Sequence, residues 1–105
     1  MQELANSLPG FQRKYLRGLA HPMKPAVMVG SAGLSEAVHA AVDAALNDHE
    51  LIVVKLHQPT EKKAMARDLA VRGNAELCGL VGHTVILYRA HPVKPKIELP
   101  ARASS

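Results

Sequence analysis

Residues 26–34 read Ala-Val-Met-Val-Gly-Ser-Ala-Gly-Leu, a short apolar run followed by two glycines three residues apart. The run predicts a β-strand over Ala26–Val29, and its continuous apolar character predicts burial on both faces. A helix pattern begins directly after the turn. Because Gly30 and Gly33 lack a Cβ, the backbone between them can approach a partner closely. The turn Gly30-Ser31-Ala32-Gly33 therefore either only reverses the chain or also holds a phosphate group at the start of the helix.

The segment before this strand has the pattern of an amphipathic helix. Ser7 is a candidate N-cap for a helix over Leu8–Leu19, and His21-Pro22 ends it. The apolar face of this helix, which we expect to contribute to the core, contains Leu8, Phe11, Tyr15, Leu16 and Leu19. The other side carries three cations, and a fourth follows the helix: Arg13, Lys14, Arg17 and Lys24. These basic residues are candidate contacts for a polyanion.

Helix and strand patterns alternate through the rest of the chain. Strand patterns cover three segments: Leu51–Leu56, Leu77–Val81 and Thr84–Tyr88. Candidate caps mark the two helices between the strands: Ser35 at the start of the second helix, Thr60 at the start of the third and Gly73-Asn74 at its end. Gly82-His83 is a two-residue hairpin turn between the last two strands. The order α-β-α-β-α-β-β predicts an α/β fold with a mixed four-stranded sheet and helices packed on it.

Composition narrows the class of protein. The 105 residues form one domain, which we divide into a folded part over 1–90 and a basic, proline-rich tail over 91–105. We expect this tail to dock in part at most and to be disordered otherwise. A single cysteine excludes an internal disulfide framework and favours the cytoplasm. We expect neither a cleavable signal nor a membrane span. The net charge of +4 favours a polyanionic partner.

The residue pattern does not favour catalysis or metal binding. The chain has six scattered histidines: His21, His39, His49, His57, His83 and His91. Their spacing to cysteine or carboxylate residues does not match a metal-ligand set. Cys78 lies in a predicted strand and is expected to be a small core residue, although a Cys–His nucleophile pair stays open. We therefore predict a protein that is not an enzyme, with no catalytic residues, no metal and no cofactor.

Five segments have residues, order and spacing that are typical of one family. They are Gln12–His21, Lys24–Glu36, His49–Lys55, Val81–Arg89 and Lys96–Pro100. In these segments the chain resembles the YhbY family, the single-domain bacterial form of the CRM domain (chloroplast RNA splicing and ribosome maturation). The resemblance extends from about Leu8 to Leu99 and covers most of the chain.

This resemblance implies a fold similar to the C-terminal domain of translation initiation factor 3, with a KH-like Gly-x-x-Gly loop over Gly30–Gly33. It also implies RNA binding, association with precursors of the large ribosomal subunit and no catalysis. The expected partners are ribosomal RNA and ribosomal proteins. The chain departs from the family pattern at two places: Ser31-Ala32 lacks the basic residue often found inside such a loop, and Asn74 stands where glycine is usual. The candidate RNA-binding residues are Gly30, Ser31, Ala32, Gly33, Arg13, Lys14, Arg17 and Lys24.

Two other functions remain open at this point. Residues 34–50 contain four carboxylates and no lysine or arginine. Three of these, Asp43, Asp48 and Glu50, either meet a basic protein, which would make the chain a protein-interaction adaptor, or keep the second helix soluble. The other function is that of a chromatin-type DNA-binding protein. It is less favoured because such proteins usually present a long basic hairpin arm, whereas the last hairpin here turns at Gly82-His83.

Overall fold

The computed structural model describes residues 8–101 and contains three helices and four strands. In chain order they are α1 (Gly10–Ala20), β1 (Val27–Val29), α2 (Glu36–Asp48), β2 (Leu51–Leu56), α3 (Lys62–Arg72), β3 (Glu76–Val81) and β4 (Thr84–Tyr88). This order confirms the predicted α/β class and the predicted sequence of elements.

The four strands form one mixed sheet in the order β1-β2-β4-β3. β1 and β2 are parallel and are joined through α2, whereas β4 lies antiparallel between β2 and β3. The predicted hairpin turn at Gly82-His83 is confirmed, and Gly82 has the positive φ of 61° that such a turn requires. Because β1 and β2 are parallel, both strands end on the side of the sheet where the Gly30–Gly33 loop begins.

Alternating side chains divide the core between the two faces of the sheet. On one face α2 and α3 cover the larger cluster, which includes Val29, Val42, Leu46, Val54, Leu69, Val85 and Leu87. On the other face α1 covers a smaller cluster, which contains Leu16, Ala20, Leu51, Val53, Cys78, Ile86 and Tyr88. The chain thus folds as three layers, with the sheet between α1 and the α2–α3 pair.

Three apolar residues are more exposed than their patterns predict. Met28, in the middle of β1, is 71% exposed, so the prediction that this strand is buried on both faces is wrong. The reason is that β1 is an edge strand and its α1-side face is left open. On α1, Tyr15 is 42% exposed and Leu19 is 40% exposed, so the prediction that they belong to the core is also wrong. Leu16 is the residue of α1 that is fully buried against the sheet.

Helix ends agree only in part with the predicted caps. Ser7 lies outside the described residues, and α1 starts after Pro9 without a side-chain cap. α3 starts after Glu61 rather than at Thr60, again without a side-chain cap, so Thr60 is wrong as an N-cap. The end of α3 agrees with prediction. Asn74 has a φ of 51°, and the Ala75 N–H donates to the Ala70 carbonyl at 2.8 Å, as in a Schellman motif.

The predicted tail docks on the domain at several points between residues 91 and 101. The buried Glu50 carboxylate accepts backbone N–H groups from three tail residues: His91 at 2.6 Å, Lys96 at 2.8 Å and Ile97 at 2.7 Å. Ile97 and Leu99 pack against the α1-side cluster. A glutamate next to α2 therefore fixes the segment that follows β4, and residues 102–105 lie outside the described part of the chain.

Candidate nucleic-acid interface

The Gly30–Gly33 loop is a hydrogen-bonded turn between β1 and α2. The Gly33 N–H donates to the Gly30 carbonyl at 3.0 Å, and the Ser35 N–H donates to the Gly33 carbonyl at 3.0 Å. Gly33 has a φ of 80°, a conformation that side chains with a Cβ rarely adopt. The turn itself therefore requires Gly33. For this glycine, the interpretation that it only serves to reverse the chain is sufficient.

Gly30 has no such role in the fold. It does not have a positive φ, and a Cβ added to it would meet no atom within 4 Å. Gly30, Ser31 and Ala32 are all exposed. Nothing in the described chain therefore requires glycine at position 30, and a bare backbone there suits the close approach of an external group.

The helix behind the loop presents its N-terminus toward it. Ser35 is the N-cap of α2, as predicted, and its Oγ accepts the Val38 N–H at 3.3 Å. The first-turn carboxylate of Glu36 is paired with Arg72 at 3.0 Å. N–H groups of the first helical turn have no partner within the helix, and the helix dipole is positive at this end. The loop and the helix together therefore present a surface that suits a phosphate group.

The basic residues of α1 differ in their freedom to contact a ligand. Arg17 donates from Nη1 to the Cys78 carbonyl at 2.8 Å, and its stem packs so closely that a Cβ on Gly79 would lie 2.6 Å from Arg17 Cδ. Arg13 donates from Nη1 to the Leu8 carbonyl. The prediction that all three α1 cations project away from the apolar face is therefore wrong for Arg13 and Arg17, which are partly buried. Lys14 is exposed, and so is Lys24, which lies between α1 and β1.

One cation near the loop was missed by the sequence interpretation. Lys55 pairs in register with Met28 of β1 and is the exposed residue of an otherwise buried strand. A cleft of about 380 Å³ extends from Gly30 past Lys55 to His57 and His83. The signal was present in the sequence, because lysine interrupts the apolar run of β2, but only the fold places it beside the loop.

The carboxylates of residues 34–50, in α2 and directly after it, are mostly engaged within the chain. Asp43 pairs with Arg89 at 2.9 Å, and the same guanidinium donates to the Asn47 side chain and the Gly73 carbonyl. Glu50 holds the C-terminal segment. These contacts give Asp43 and Glu50 structural roles, so the acidic helix offers a partner fewer free charges than its sequence indicates.

Cys78 is a buried core thiol, as predicted. It is 2% exposed, and its Sγ donates to the Glu76 carbonyl at 3.8 Å. Burial, with a smaller contribution from the Glu76 carboxylate, raises the pKa of the Cys78 thiol to about 12, against the opposing effect of Arg13 and Arg17. A thiol with this pKa is not a nucleophile near neutral pH, which argues against the Cys–His pair left open by the sequence.

We expect Cys78 to resist alkylation in the folded protein. Both its burial and the raised pKa deplete the reactive thiolate, so iodoacetamide at about pH 8 should label it a hundredfold or more slowly than in urea-unfolded protein. Mass spectrometry of timed samples measures the two rates. Equal rates in folded and unfolded samples would contradict the buried placement of Cys78.

Metal and membrane sites are not found in the described part of the chain. Over residues 8–101, no three His, Cys, Asp or Glu side chains are grouped so as to hold a metal ion. No helix in the same range is long and apolar enough to cross a membrane.

Comparison with known proteins agrees with this architecture. The family model of the CRS1/YhbY (CRM) domain matches residues 8–89. An RNA-binding protein of Haemophilus influenzae is 41% identical over 93 residues, covering 87% of this chain and 93% of that protein. A probable RNA-binding protein of Bacillus subtilis is 33% identical and covers 89% and 99%, respectively.

A solved structure gives the same result for the fold. The solution structure of a Staphylococcus aureus protein, described as a candidate RNA-binding protein, superposes with a TM-score of 0.78 at 34% identity. The match covers 89% of this chain and 99% of that one. The names of these relatives indicate RNA binding and do not indicate an enzyme. By sequence and by fold, this chain belongs to the CRS1/YhbY (CRM) domain family.

Proposed function

We propose that this protein binds RNA through the Gly30–Gly33 loop and the adjoining basic surface, and that it acts in assembly of the large ribosomal subunit. The observation that carries the proposal concerns Gly30. The fold does not require glycine at this position, whereas the close approach of an RNA backbone would require it. Its RNA partner would be ribosomal RNA within a subunit precursor, with ribosomal proteins as further neighbours. Three lines of support are the loop geometry, the net charge of +4 and the names of the relatives.

The loop would act on the RNA backbone rather than on the bases. A phosphate at the loop would meet backbone N–H groups and the positive end of α2. Lys14, Lys24 and Lys55 are exposed and would supply the charge that Ser31 and Ala32 lack. Contacts of this kind position a strand without reading its sequence, so the ribosomal context would select the target.

The structure bears on the other two candidate functions. An adaptor working through the acidic helix is disfavoured, because Asp43 and Glu50 are bound within the chain. A chromatin-type DNA-binding protein is disfavoured because the hairpin of β3 and β4 turns within two residues, Gly82 and His83, and has no arm. RNA binding needs neither feature.

Sedimentation tests the ribosomal part of the proposal. A tagged form of the protein, expressed in bacteria, should comigrate with large-subunit precursors in a sucrose gradient at low salt and dissociate as salt is raised, because the contacts are mainly ionic. Mature 70S ribosomes and free 30S subunits in the same gradient serve as internal controls. Migration only at the top of the gradient would contradict the ribosomal assignment and leave RNA binding to be tested separately.

A further inference from the structure

One row of side chains crosses all four strands on the α1 side of the sheet. We call these residues the exposed row: Met28, Lys55, Thr84 and Val81, which are cross-strand neighbours in that order. Alternation along β2 places Lys55 on the same face as Val53, which packs in the α1-side cluster. The row is thus the continuation of the α1-side core beyond the end of α1.

Three of the four side chains in this row are exposed, Thr84 is half-buried, and half of the row is apolar. Met28 is 71% exposed and Val81 is 62% exposed, and they stand at opposite ends of the row. Because three strand spacings of 4.8 Å separate the ends, the row is about 14 Å long, the length of four stacked nucleotides. β1 leads directly from Met28 into Gly30, so one end of the row adjoins the loop.

The clefts beside the row carry positive or neutral side chains. One cleft runs from Lys55 to Gly30, and a second, of about 330 Å³, lies between the row and the end of α1. Their polar lining is Arg17, His21, Lys55, His57, Gln58, His83 and Thr84. Neither cleft is lined by a carboxylate, whereas the cleft at the opposite end of the sheet includes Asp48 and Glu50. The charge around the row therefore suits a polyanion.

We propose that the exposed row is a platform for the bases of single-stranded RNA whose backbone is held at the Gly30–Gly33 loop. This inference rests on the proposed function and adds a path for the strand. Base faces would cover Met28 and Val81, and the methionine sulfur makes favourable contacts with aromatic rings. Lys55 would pair with a phosphate between the bases. A duplex hides its base faces in the stack, so the platform would serve single strands and be tolerant of sequence.

Fluorescence anisotropy with two RNA probes tests this path. The probes are a labelled single-stranded U12 and a labelled 12-base-pair RNA duplex, titrated with the full chain. The row variant combines Met28→Ser and Lys55→Ala. The control variant combines Val93→Ser and Lys63→Ala. Val93→Ser removes an apolar side chain about as exposed as Met28, and Lys63→Ala removes an exposed lysine of α3. Ala32→Asp serves as the loop variant, and circular dichroism checks each fold.

We expect the row variant to bind U12 at least about fivefold more weakly, with duplex binding changed less than about twofold. The control variant should bind both probes like wild type. Of the single changes, Lys55→Ala should reduce the salt slope for U12 by about 0.7, and Met28→Ser should leave the slope unchanged.

The other outcomes separate the platform from the loop. If the row variant binds U12 like wild type while Ala32→Asp does not, the platform is wrong and the loop stands. If the row variant loses single-strand and duplex binding equally, the row is a general ionic surface and the platform is again wrong. If wild type binds neither probe, the proposed function itself fails.

Discussion

Replacing Glu50 by glutamine should release the C-terminal segment and lower the free energy of unfolding by about 2–3 kcal/mol. The Glu50 carboxylate accepts N–H groups on both oxygens, two on Oε1 and the His91 N–H on Oε2. Glutamine has the same size but loses the charge and turns an N–H₂ group toward one of those donors. Urea unfolding measures the difference in stability.

The matched control for this prediction is Asp48→Asn. Asp48 is an exposed carboxylate two residues away, so the same change of charge there should alter stability by less than about 0.5 kcal/mol. In Glu50→Gln the released segment should also be cut faster by trypsin after Lys96. Equal stability of the two variants would show that Glu50 does not fix the segment.

The same contact predicts a dependence on pH. Burial raises the pKa of Glu50, but the N–H groups of His91, Ile97 and Lys96 outweigh it and hold the pKa below its ordinary value of 4.5. A lowered pKa in the folded state stabilises the protein fully above 4.5, and this stabilisation is lost as the pH falls through the folded value. Urea midpoints between about pH 6 and pH 3 should therefore fall more steeply for wild type than for Glu50→Gln.

Local patterns predicted those parts of the fold that local chemistry decides. The apolar period of α2, the β-branched run of β2 and the Gly82-His83 turn each specify one conformation over a few residues. The left-handed end of α3 follows from Asn74 in the same way. Element order then leaves few ways to arrange a mixed sheet.

Exposure was harder to predict, because it depends on what covers a residue from elsewhere in the chain. Met28 has the sequence of a buried strand residue, but α1 does not extend over it. Arg17 looked like a free surface cation, but Gly79, 62 residues later, leaves space for its stem. Glu50 looked like a solvated charge at the end of a helix, and its partners lie more than 40 residues away.

The candidate site was predictable in its local part. The Gly-x-x-Gly spacing identified the loop, and Ser35 identified the helix that starts behind it. The neighbouring position of Lys55 required the pairing of β1 with β2, which no local pattern contains. The RNA-binding role of all eight candidate residues, and the likeness to initiation factor 3, stay predictions.

Replacing Ala32 by aspartate should weaken RNA binding by at least about tenfold, or 1.4 kcal/mol, without destabilising the protein. Ala32 is exposed at the tip of the loop, so the fold has room for the side chain. The carboxylate would face the phosphate that the loop holds. In the free protein it would lie near the positive end of α2, where a negative charge is favourable.

Two further variants serve as a control and as a second test of this prediction. Ala101→Asp makes the same change of charge in the exposed C-terminal segment and should bind RNA within about twofold of wild type. Gly30→Ala adds a Cβ that meets nothing in the chain, so it should leave stability unchanged and weaken only RNA binding. A loop that merely turns the chain would tolerate both loop changes.

The most direct measurement is the affinity of wild type, Ala32→Asp and Ala101→Asp for one labelled single-stranded RNA, with melting temperatures taken in the same buffer. Binding through the loop predicts a melting temperature that is unchanged or slightly raised in Ala32→Asp, together with an affinity at least about tenfold lower than that of Ala101→Asp. Equal affinities of the two aspartate variants would contradict a backbone clamp at Gly30–Gly33.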